Sequence, residues 1–471
     1  MKSNQLQYIL LLLLLVTSLG YSAYQHFLMP MDGDLPSGVL VDADVQQILD
    51  NPLGLEAIEK PGSYPNPNRF FSHYALHKYM GGMPAMLGSI VKPENAPYLA
   101  MAIIKFLTEL GLLLFILRIT KIPWKTSQGL LIILATHLFF AAEDHMLGNA
   151  IIDKAPTYFF FYALPFFWTL FSLFPLIELV RNPKENPPLW TWVLGFIFIP
   201  VSCLSGPTNT GVVAVVFIIL TVSILREPEW RARVLKLPVL IYIALFSIGV
   251  LYSLFIGSLD AIGMAENIPL SERYLLLAKG MWTEMLSRRG YYLLFILWAA
   301  GLAYLRFKDA TSFKKLLRPS AFVLSFIVLY LLLLPLGGYR SWRPNMLRND
   351  VLIPVTYALI LVNVLGWKSV LRLIVKDWMS AVYVVIVARA LFLFWKFDPL
   401  YTEHYLCQQA RISELQSTDE DVAVICDDCL LVHWWKVENP EESLNSVKLL
   451  KLWGIESSAN AYVVKPCEAS D

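Results

Sequence analysis

Charge is the scarcest property of this chain, because charged residues make up 16% of its 471 residues while hydrophobic residues make up 56%. Soluble globular chains carry roughly 25% charged and about 45–50% apolar residues. The deficit excludes a cytosolic enzyme, a disordered protein and a secreted disulfide-rich miniprotein. The net charge is only +1, so the composition gives a nucleic-acid partner no electrostatic support.

Familiar catalytic signatures are also missing. The sequence contains no P-loop, no G-x-S-x-G, no H-E-x-x-H and no dinucleotide-binding fingerprint. A nucleotide-driven cytosolic activity therefore has no support. The mean hydropathy of +0.55 predicts an all-α polytopic membrane protein instead.

Long apolar segments are what the chain has in abundance. A helix needs about 20 largely apolar residues to cross a bilayer, and the sequence predicts eleven transmembrane helices. Their cores are 8–24, 97–117, 127–142, 157–180, 189–204, 209–225, 237–258, 291–305, 320–336, 351–366 and 378–395. We expect the first to be an uncleaved anchor; a cleavable signal peptide is the alternative, since Lys2 precedes a leucine run.

The charges of the loops predict the orientation. With the N-terminus in the cytoplasm, every inner loop is short and basic, as in 118–125 and 226–236, whereas the long outer loop 25–96 is rich in acids. This distribution follows the positive-inside rule. It predicts a cytoplasmic N-terminus and an extracytoplasmic C-terminus, with residues 1–396 forming the transmembrane domain.

Residues 397–471 are expected to form a small extracytoplasmic α/β domain. The pattern predicts helices over 400–416 and 440–452, and strands over 421–426, 430–435 and 460–465. Cys407, Cys426, Cys429 and Cys467 lie in this domain. Their clustering on an oxidising face predicts one or two disulfides; a redox or zinc site at Cys426 and Cys429 is the alternative.

Two acidic motifs lie at predicted outer helix ends. Asp32 and Asp34 flank a glycine shortly after the first span, and at the mouth of a cavity one carboxylate can act as a general base. Glu143-Asp144-His145 ends the third span and offers a second acidic wall. A solvated loop is the alternative for the first motif, and interfacial solvation for the second.

Arginines break the charge rule in one predicted outer loop. Arg340, Arg343 and Arg348 lie in the segment 338–350 between the ninth and tenth spans. Guanidinium groups bind phosphate oxygens in a bidentate manner, which predicts an anion site. A structural ion-pair cluster with Asp350 is the alternative.

Two further polar segments lie at predicted membrane boundaries. Asn209, in the turn 205–211, can hydrogen-bond a polar ligand if that turn lines a cavity; a plain turn is the alternative. His73 and His77 are spaced for one helix face, but no third ligand is evident, so we favour an interfacial helix over a zinc site. Arg69 and His73 are candidates for a sugar pocket.

These features together resemble the GT-C class of membrane glycosyltransferases. They are a long first outer loop opening with Asp32 and Asp34, a second outer loop with Glu143 and Asp144, about eleven spans and an outer C-terminal domain. The pattern is also similar to phage-type O-antigen glucosyltransferases and related bacterial membrane proteins. Such enzymes transfer a sugar from a polyprenyl-phosphate carrier to an acceptor outside the cytoplasm.

The resemblance implies a role for each motif. Asp34, or else Asp32, is the expected catalytic base, and we prefer Asp34 because it lies further from the membrane. Glu143, Asp144, His145 and Asn209 are expected to bind or orient a glycan or lipid acceptor. Arg340, Arg343 and Arg348 are expected to bind the donor phosphate. Most of the class works without a metal, so no metal or other cofactor is expected.

The resemblance therefore predicts a bacterial inner-membrane glycosyltransferase that modifies a cell-envelope glycan or lipid. A transporter or flippase of lipid-linked glycans is one alternative. It needs charges within the spans, for which Lys105 and Glu109 are the main candidates and can pair at i,i+4. An envelope polymerase or ligase and a non-catalytic envelope protein are the others.

Overall fold

The structure is a computed structural model, and most of the chain is described. It covers residues 2–138, 140, 151–181, 185–226, 228–266, 268–286, 288–341, 343–374, 387–389, 391–392, 395–396, 400–426 and 429–467. The predicted acceptor residues Glu143, Asp144 and His145 lie outside the described residues.

Eight helical segments of the described residues are long and apolar enough to cross a membrane. They are Gln5–Leu28, Pro93–Thr120, Pro156–Val180, Pro207–Arg226, Leu237–Ser258, Gly290–Lys308, Ala310–Gly337 and Ile353–Leu373. Two shorter apolar helices, Ser127–His137 and Leu189–Cys203, match the third and fifth predicted spans. The chain is thus a polytopic helical protein. The last predicted span, 378–395, lies mostly outside the described residues, so the count of eleven stays a prediction.

Helices dominate the order of elements up to residue 374. The first ten are α1 (Lys2–Leu28), α2 (Leu35–Leu40), α3 (Ala43–Asp50), α4 (Leu55–Glu59), α5 (Phe70–Leu87), α6 (Ala96–Thr120), α7 (Ser127–His137), α8 (Pro156–Tyr158), α9 (Leu164–Arg181) and α10 (Leu189–Cys203). The next eight are α11 (Pro207–Arg226), α12 (Pro228–Val234), α13 (Leu237–Ser258), α14 (Ala261–Ala265), α15 (Leu270–Gly280), α16 (Arg289–Lys308), α17 (Ala310–Leu333) and α18 (Ile353–Ile374).

Short helical turns of other types join some of these helices. Two turns are π-helical, Phe159–Ala163 and Met281–Leu286. Two are 3₁₀-helical, Pro93–Asn95 and Leu334–Gly337.

Alternate connections between the long helices meet at one end of the bundle, which we call the site end. Ser72 at the start of α5 donates to the Ser205 carbonyl before α11, and Asn66 N donates to Asp260 after α13. Tyr330 in α17 donates to the Val351 carbonyl just before α18. The predicted outer loops therefore lie together, as a membrane orientation requires. Which side of the membrane they face stays a prediction.

Helix α5 buries one of its faces in the protein and exposes the other. Ser72, His73, Leu76 and Met80 face the interior, and the helix packs against α2 and α6. His77 Nδ1 bonds to the Val39 carbonyl at 2.9 Å. The structure thus gives His73 and His77 different surroundings, and the interfacial placement of this helix stays a prediction.

The C-terminal segment forms a small α/β arrangement. Helix α19 (Thr402–Ser417) precedes β1 (Val422–Cys426), and α20 (Pro440–Leu452) crosses over to β2 (Ala461–Lys465). The two strands are parallel, with Val422 opposite Ala461. Disulfides join Cys407 to Cys429 and Cys426 to Cys467. The packing of these elements agrees with an α/β unit; its placement outside the cytoplasm stays a prediction.

One predicted strand of this segment is wrong. Residues 430–435 form bends without strand pairing, and Val432 has a φ of 50°. The apolar side chains of this segment are placed without a strand: Leu431 and Val432 are buried, while Trp434 and Trp435 are exposed. Side-chain hydrogen bonds hold the backbone, from Tyr462 to the Leu431 carbonyl and from Ser446 to the Val432 carbonyl.

Candidate functional site

The carboxylate of Asp32 is buried and fully engaged at the site end. It accepts hydrogen bonds from Thr157 N and Thr157 Oγ1, both at 2.8 Å, and from Asp34 N at 2.9 Å. Burial raises its pKa to about 6, the charge of Asp34 adds to the rise, and the Thr157 donors oppose it. Asp32 thus ties the turn after α1 to the start of α8.

Asp34 is only half-buried and holds fewer partners. Its Oδ1 accepts from Trp434 Nε1 at 2.7 Å. Burial raises the pKa of this carboxyl, against the Trp434 hydrogen bond and the nearby Arg348 charge, which lower it. Among the described residues no donor engages Oδ2, so this oxygen can accept a proton from a ligand.

Gly33 lets the C-terminal segment approach these two carboxylates. A Cβ at this position would lie 2.5 Å from Trp434 N and 2.7 Å from the His433 carbonyl carbon. Both are backbone atoms, which cannot move aside like the end of a flexible side chain. The glycine between the two acids is therefore required by close packing, a reason that sequence reasoning did not foresee.

Three guanidinium groups surround the ring of Tyr162. The Cζ atoms of Arg69, Arg343 and Arg348 lie 5.8, 5.7 and 6.0 Å from its centroid. Arg343 Nη2 also donates to the Tyr162 hydroxyl at 2.7 Å. We call Arg69, Arg343 and Arg348 the arginine cluster. Such packing against an aromatic face offsets part of the repulsion between like charges.

The arginine cluster and the carboxylates belong to one site. Arg348 stacks over Tyr158 with its Cζ 4.3 Å from the ring centroid, and Tyr158 stacks on Trp434 at 6.1 Å. Trp434 in turn holds Asp34. Tyr158 directly precedes the π-helical turn Phe159–Ala163, and Tyr162 lies within it. Such turns occur often at functional sites.

The predicted phosphate ligands differ in their surroundings. Arg340 forms an ion pair with Asp260 and donates to the Tyr339 carbonyl at 2.8 Å, which stabilises the loop. Arg348 donates to buried Asp350; burial lowers the pKa of Arg348, but this hydrogen bond and the charge of Asp350 together raise it above its usual value. Arg340 and Arg348 thus belong to ion pairs, whereas Arg343 contacts Tyr162. The anion site stays a prediction.

Several buried polar atoms near the arginine cluster lack a partner within the described part of the chain. They are Arg69 Nε, Arg343 Nε, both ring nitrogens of His73, Asn209 Nδ2 and Asn349 Oδ1. The His73 ring lies 4.8 Å from the Phe161 ring, and Gly206, one turn before Asn209, adjoins Arg69. Buried polar groups in native proteins are normally satisfied, so this concentration points to a polar ligand or water.

His73 remains neutral at this place. Burial, together with the charge of Arg69, lowers its pKa to about 3. One ring nitrogen is then a donor and the other an acceptor. Histidine, cysteine and acidic side chains form no metal-binding group of three or more within the described ranges.

Sequence reasoning missed Thr157, Tyr158, Tyr162 and Trp434. The first three belong to the run TYFFFYA after Pro156, which reads as an ordinary apolar span. Trp434 lies in the segment misread as a strand. No family model, curated protein or solved structure matches this chain.

Proposed function

We propose that this chain is a membrane glycosyltransferase that transfers a sugar from a polyprenyl-phosphate carrier to a cell-envelope glycan or lipid. One observation carries the proposal: the arginine cluster and the Asp34 carboxylate share a site at one end of a bundle of apolar helices. A lipid-linked sugar phosphate needs this combination, with cations for the phosphate and a base for the acceptor hydroxyl.

The chemistry assigns a step to each group. The acceptor oxygen attacks the anomeric carbon of the donor, and its proton passes to Asp34 Oδ2. The bond between the anomeric carbon and the phosphate oxygen breaks, and its electron pair stays on the phosphate. Arg69 and Arg343, with Arg348, stabilise that charge. Asp32 is the positioning residue, because its oxygens are held by Thr157.

The carrier tail needs an apolar route beside these cations. A cavity of about 560 Å³ is lined by Ile268, Pro269, Leu270, Arg273 and Leu336. It lies next to the loop of Arg340, since Ser341 N donates to Glu266 at 2.6 Å. Leu270 and Leu336 expose apolar surface there. We assign this groove to prenyl units of the carrier.

The orientation belongs to the same proposal. The site end faces the outside of a bacterial inner membrane, the N-terminus is cytoplasmic and the C-terminal segment is extracytoplasmic. The pairing of all four cysteines of that segment supports an oxidising compartment. Basic loops at the opposite end of the bundle support it further.

Transfer by the purified chain in lipid nanodiscs tests the proposal. Wild type is incubated with a panel of polyprenyl-phosphate-linked hexoses and envelope glycans, and labelled product is counted. Asp34→Asn should abolish transfer, since the amide cannot take the proton. Asp44→Asn is the matched control, an exposed acid of the same loop. Full activity in Asp34→Asn would overturn the assignment of this base.

A buried ionisable cluster favours transport as a second candidate function. Glu109 in α6 contacts His26 of α1 and His137 of α7, each at 2.8 Å. Its expected partner Lys105 instead donates to the Lys154 carbonyl at 2.7 Å, so the predicted i,i+4 pair does not form. Ionisable groups within spans often mark transport pathways. A transporter would move lipid-linked glycan across proteoliposomes with Asp34→Asn unimpaired.

A further inference from the structure

The C-terminal segment carries two consecutive exposed tryptophans, and the first of them contacts Asp34. Trp434 is 40% exposed and Trp435 is 61% exposed. Trp434 stacks on Tyr158 with an interplanar angle of 23°, and Trp435 meets the His433 ring edge-on at 4.7 Å. We call Trp434 and Trp435 the tryptophan pair. Exposed aromatic surface beside a polar site marks a place of interaction.

The backbone that carries the tryptophan pair is held rather than loose. Gln408 Nε2 donates to the Leu430 carbonyl at 2.8 Å, and Ser446 donates to the Val432 carbonyl at 2.9 Å. Leu431 and Val432 are buried beneath it. A fixed backbone reduces the conformational entropy that is lost when a ligand binds to these side chains.

The tryptophan pair and the arginine cluster are linked through Tyr158, which Trp434 and Arg348 both contact. Trp434 contacts Asp34 directly, whereas the cluster surrounds Tyr162, one helical turn beyond Tyr158. A donor phosphate among the arginines places its sugar toward Asp34. The acceptor must reach the same carboxylate, and Trp434 is the exposed aromatic side chain that contacts it.

We propose that the tryptophan pair is the acceptor-binding site and takes the pyranose ring of a carbohydrate. The C–H face of the ring stacks on an indole, and one hydroxyl reaches Asp34 Oδ2. This inference rests on the proposed function and names the acceptor class for its site. Aromatic side chains supply rigid contact area, while a few polar groups fix the orientation of the ligand.

The chemistry at Trp434 favours a sugar over a lipid surface. An interfacial tryptophan points its indole N–H toward water and head groups, but Trp434 Nε1 donates to Asp34. A second polar group is close by, since the partly buried His433 has its Nδ1 3.0 Å from the Trp435 carbonyl. A hydroxyl-rich ligand matches this mixture of aromatic faces and polar atoms.

Saturation-transfer NMR with the full chain in nanodiscs tests the inference. The probes are methyl pyranosides of glucose, galactose, mannose and N-acetylglucosamine. Wild type should transfer saturation to the C–H protons of at least one probe, and Trp435→Ala should lose the signal. Trp124→Ala, an exposed tryptophan just before α7, is the control and should keep it. Absence of transfer in wild type overturns the acceptor site.

Kinetics separate this inference from the proposed function. With an active donor, Trp435→Ala should raise the KM for the acceptor roughly ten-fold and leave the KM for the donor unchanged, because stacking energies of this size are typical. An unchanged acceptor KM overturns the acceptor site. If the probe binds in a Trp435-dependent manner but no sugar is transferred, the proposed glycosyltransferase function is refuted and the carbohydrate site stands.

Discussion

At the scale of single residues, the two acids of the first loop have different surroundings. Asp32 accepts three hydrogen bonds and is buried, while Asp34 accepts one and reaches the open side of the site. The three donors to Asp32 make it a structural tie between α1 and α8. Asp34 keeps an oxygen for a ligand. The sequence offered only a weak reason to prefer Asp34; this difference supplies a physical one.

Removing the donor to Asp34 should shift the pH dependence of transfer. The Trp434 hydrogen bond lowers the pKa of Asp34 against the effect of burial, so Trp434→Phe should raise that pKa. A base works only when deprotonated, and its activity falls as the pH drops through its pKa. The acidic limb of the rate profile should therefore move to higher pH in Trp434→Phe.

Rate profiles of wild type, Trp434→Phe and Trp435→Phe check this prediction. Trp435 does not contact Asp34, so Trp435→Phe should leave the acidic limb where it is in wild type. Coincident acidic limbs in all three proteins would contradict the role of Asp34 as the base.

At the scale of elements, contacts between distant segments build the site. The turn after α1, the π-helical turn before α9, the loop before α18 and the segment 430–435 each supply one part. Gly33 is the point where the first and last of these meet. A Cβ there would overlap backbone atoms of His433 and Trp434, so one of the two segments would have to move.

Gly33→Ala should weaken this junction. Overpacking of a tight contact costs roughly 1–3 kcal/mol, and Asp34 and Trp434 should separate. We expect a lower thermal unfolding midpoint and reduced transfer. Gly82→Ala is the matched control, because a Cβ there meets no atom within 4 Å and alanine favours the helix α5. Equal midpoints for both variants would show that the junction does not form.

The cluster of Glu109, His26 and His137 joins three helices in the same way. Ser22 and Ser18 complete it, with Ser22 donating to Glu109 at 2.7 Å and Ser18 bonded to His137 at 3.0 Å. Removing one partner of a buried pair leaves the other without compensation. The cluster therefore stabilises α1 against α6 and α7.

Glu109→Gln should destabilise the fold by about 3–5 kcal/mol, the usual cost of breaking a buried pair. Thermal unfolding in detergent, followed by intrinsic fluorescence, measures the change. Glu284→Gln is the control, since its pair with Arg288 is partly exposed and such pairs contribute about 0–1 kcal/mol. If both variants unfold alike, the cluster does not hold the helices together.

At the scale of the whole molecule, the apolar helices and several site residues were predictable, and the contacts that bring those residues together were not. Hydropathy is a local property, so the runs that form α6 or α13 could be located from the sequence. The contact between Asp34 and Trp434 spans 400 residues, and no local pattern encodes it. The segment 430–435 was misread because its β-prone residues are buried by packing rather than by strand pairing.

The arginine loop was recognised from its sequence because it breaks the charge rule. The arginines of this loop nevertheless have different partners, since Arg340 pairs with Asp260 while Arg343 donates to Tyr162. Arg69, 274 residues before Arg343, joins the cluster only through the fold. The charge pattern identified the loop, and tertiary contacts separated the arginine that pairs with Asp260 from the one that contacts Tyr162.

Cysteine labelling tests the predicted orientation of the molecule. Ser89→Cys, in the loop between α5 and α6, should react with a membrane-impermeant maleimide on intact cells. Thr311→Cys, at the start of α17 and at the opposite end, should react only after the membrane is permeabilised. Both positions are exposed, and the native cysteines are either disulfide-bonded or buried. The reverse pattern would place the site end in the cytoplasm.

The central claim is that the arginine cluster binds the phosphate of a prenyl carrier, and a binding measurement tests it most directly. A short-chain prenyl phosphate is titrated onto the chain in nanodiscs and followed by native mass spectrometry. Wild type should bind it, and Arg343→Gln should weaken binding roughly ten- to hundred-fold, as expected for a charge-assisted hydrogen bond of about 1.5–3 kcal/mol. Arg226→Gln, an exposed arginine at the opposite end of the bundle, should bind like wild type. Equal affinity in all three proteins would contradict the claim.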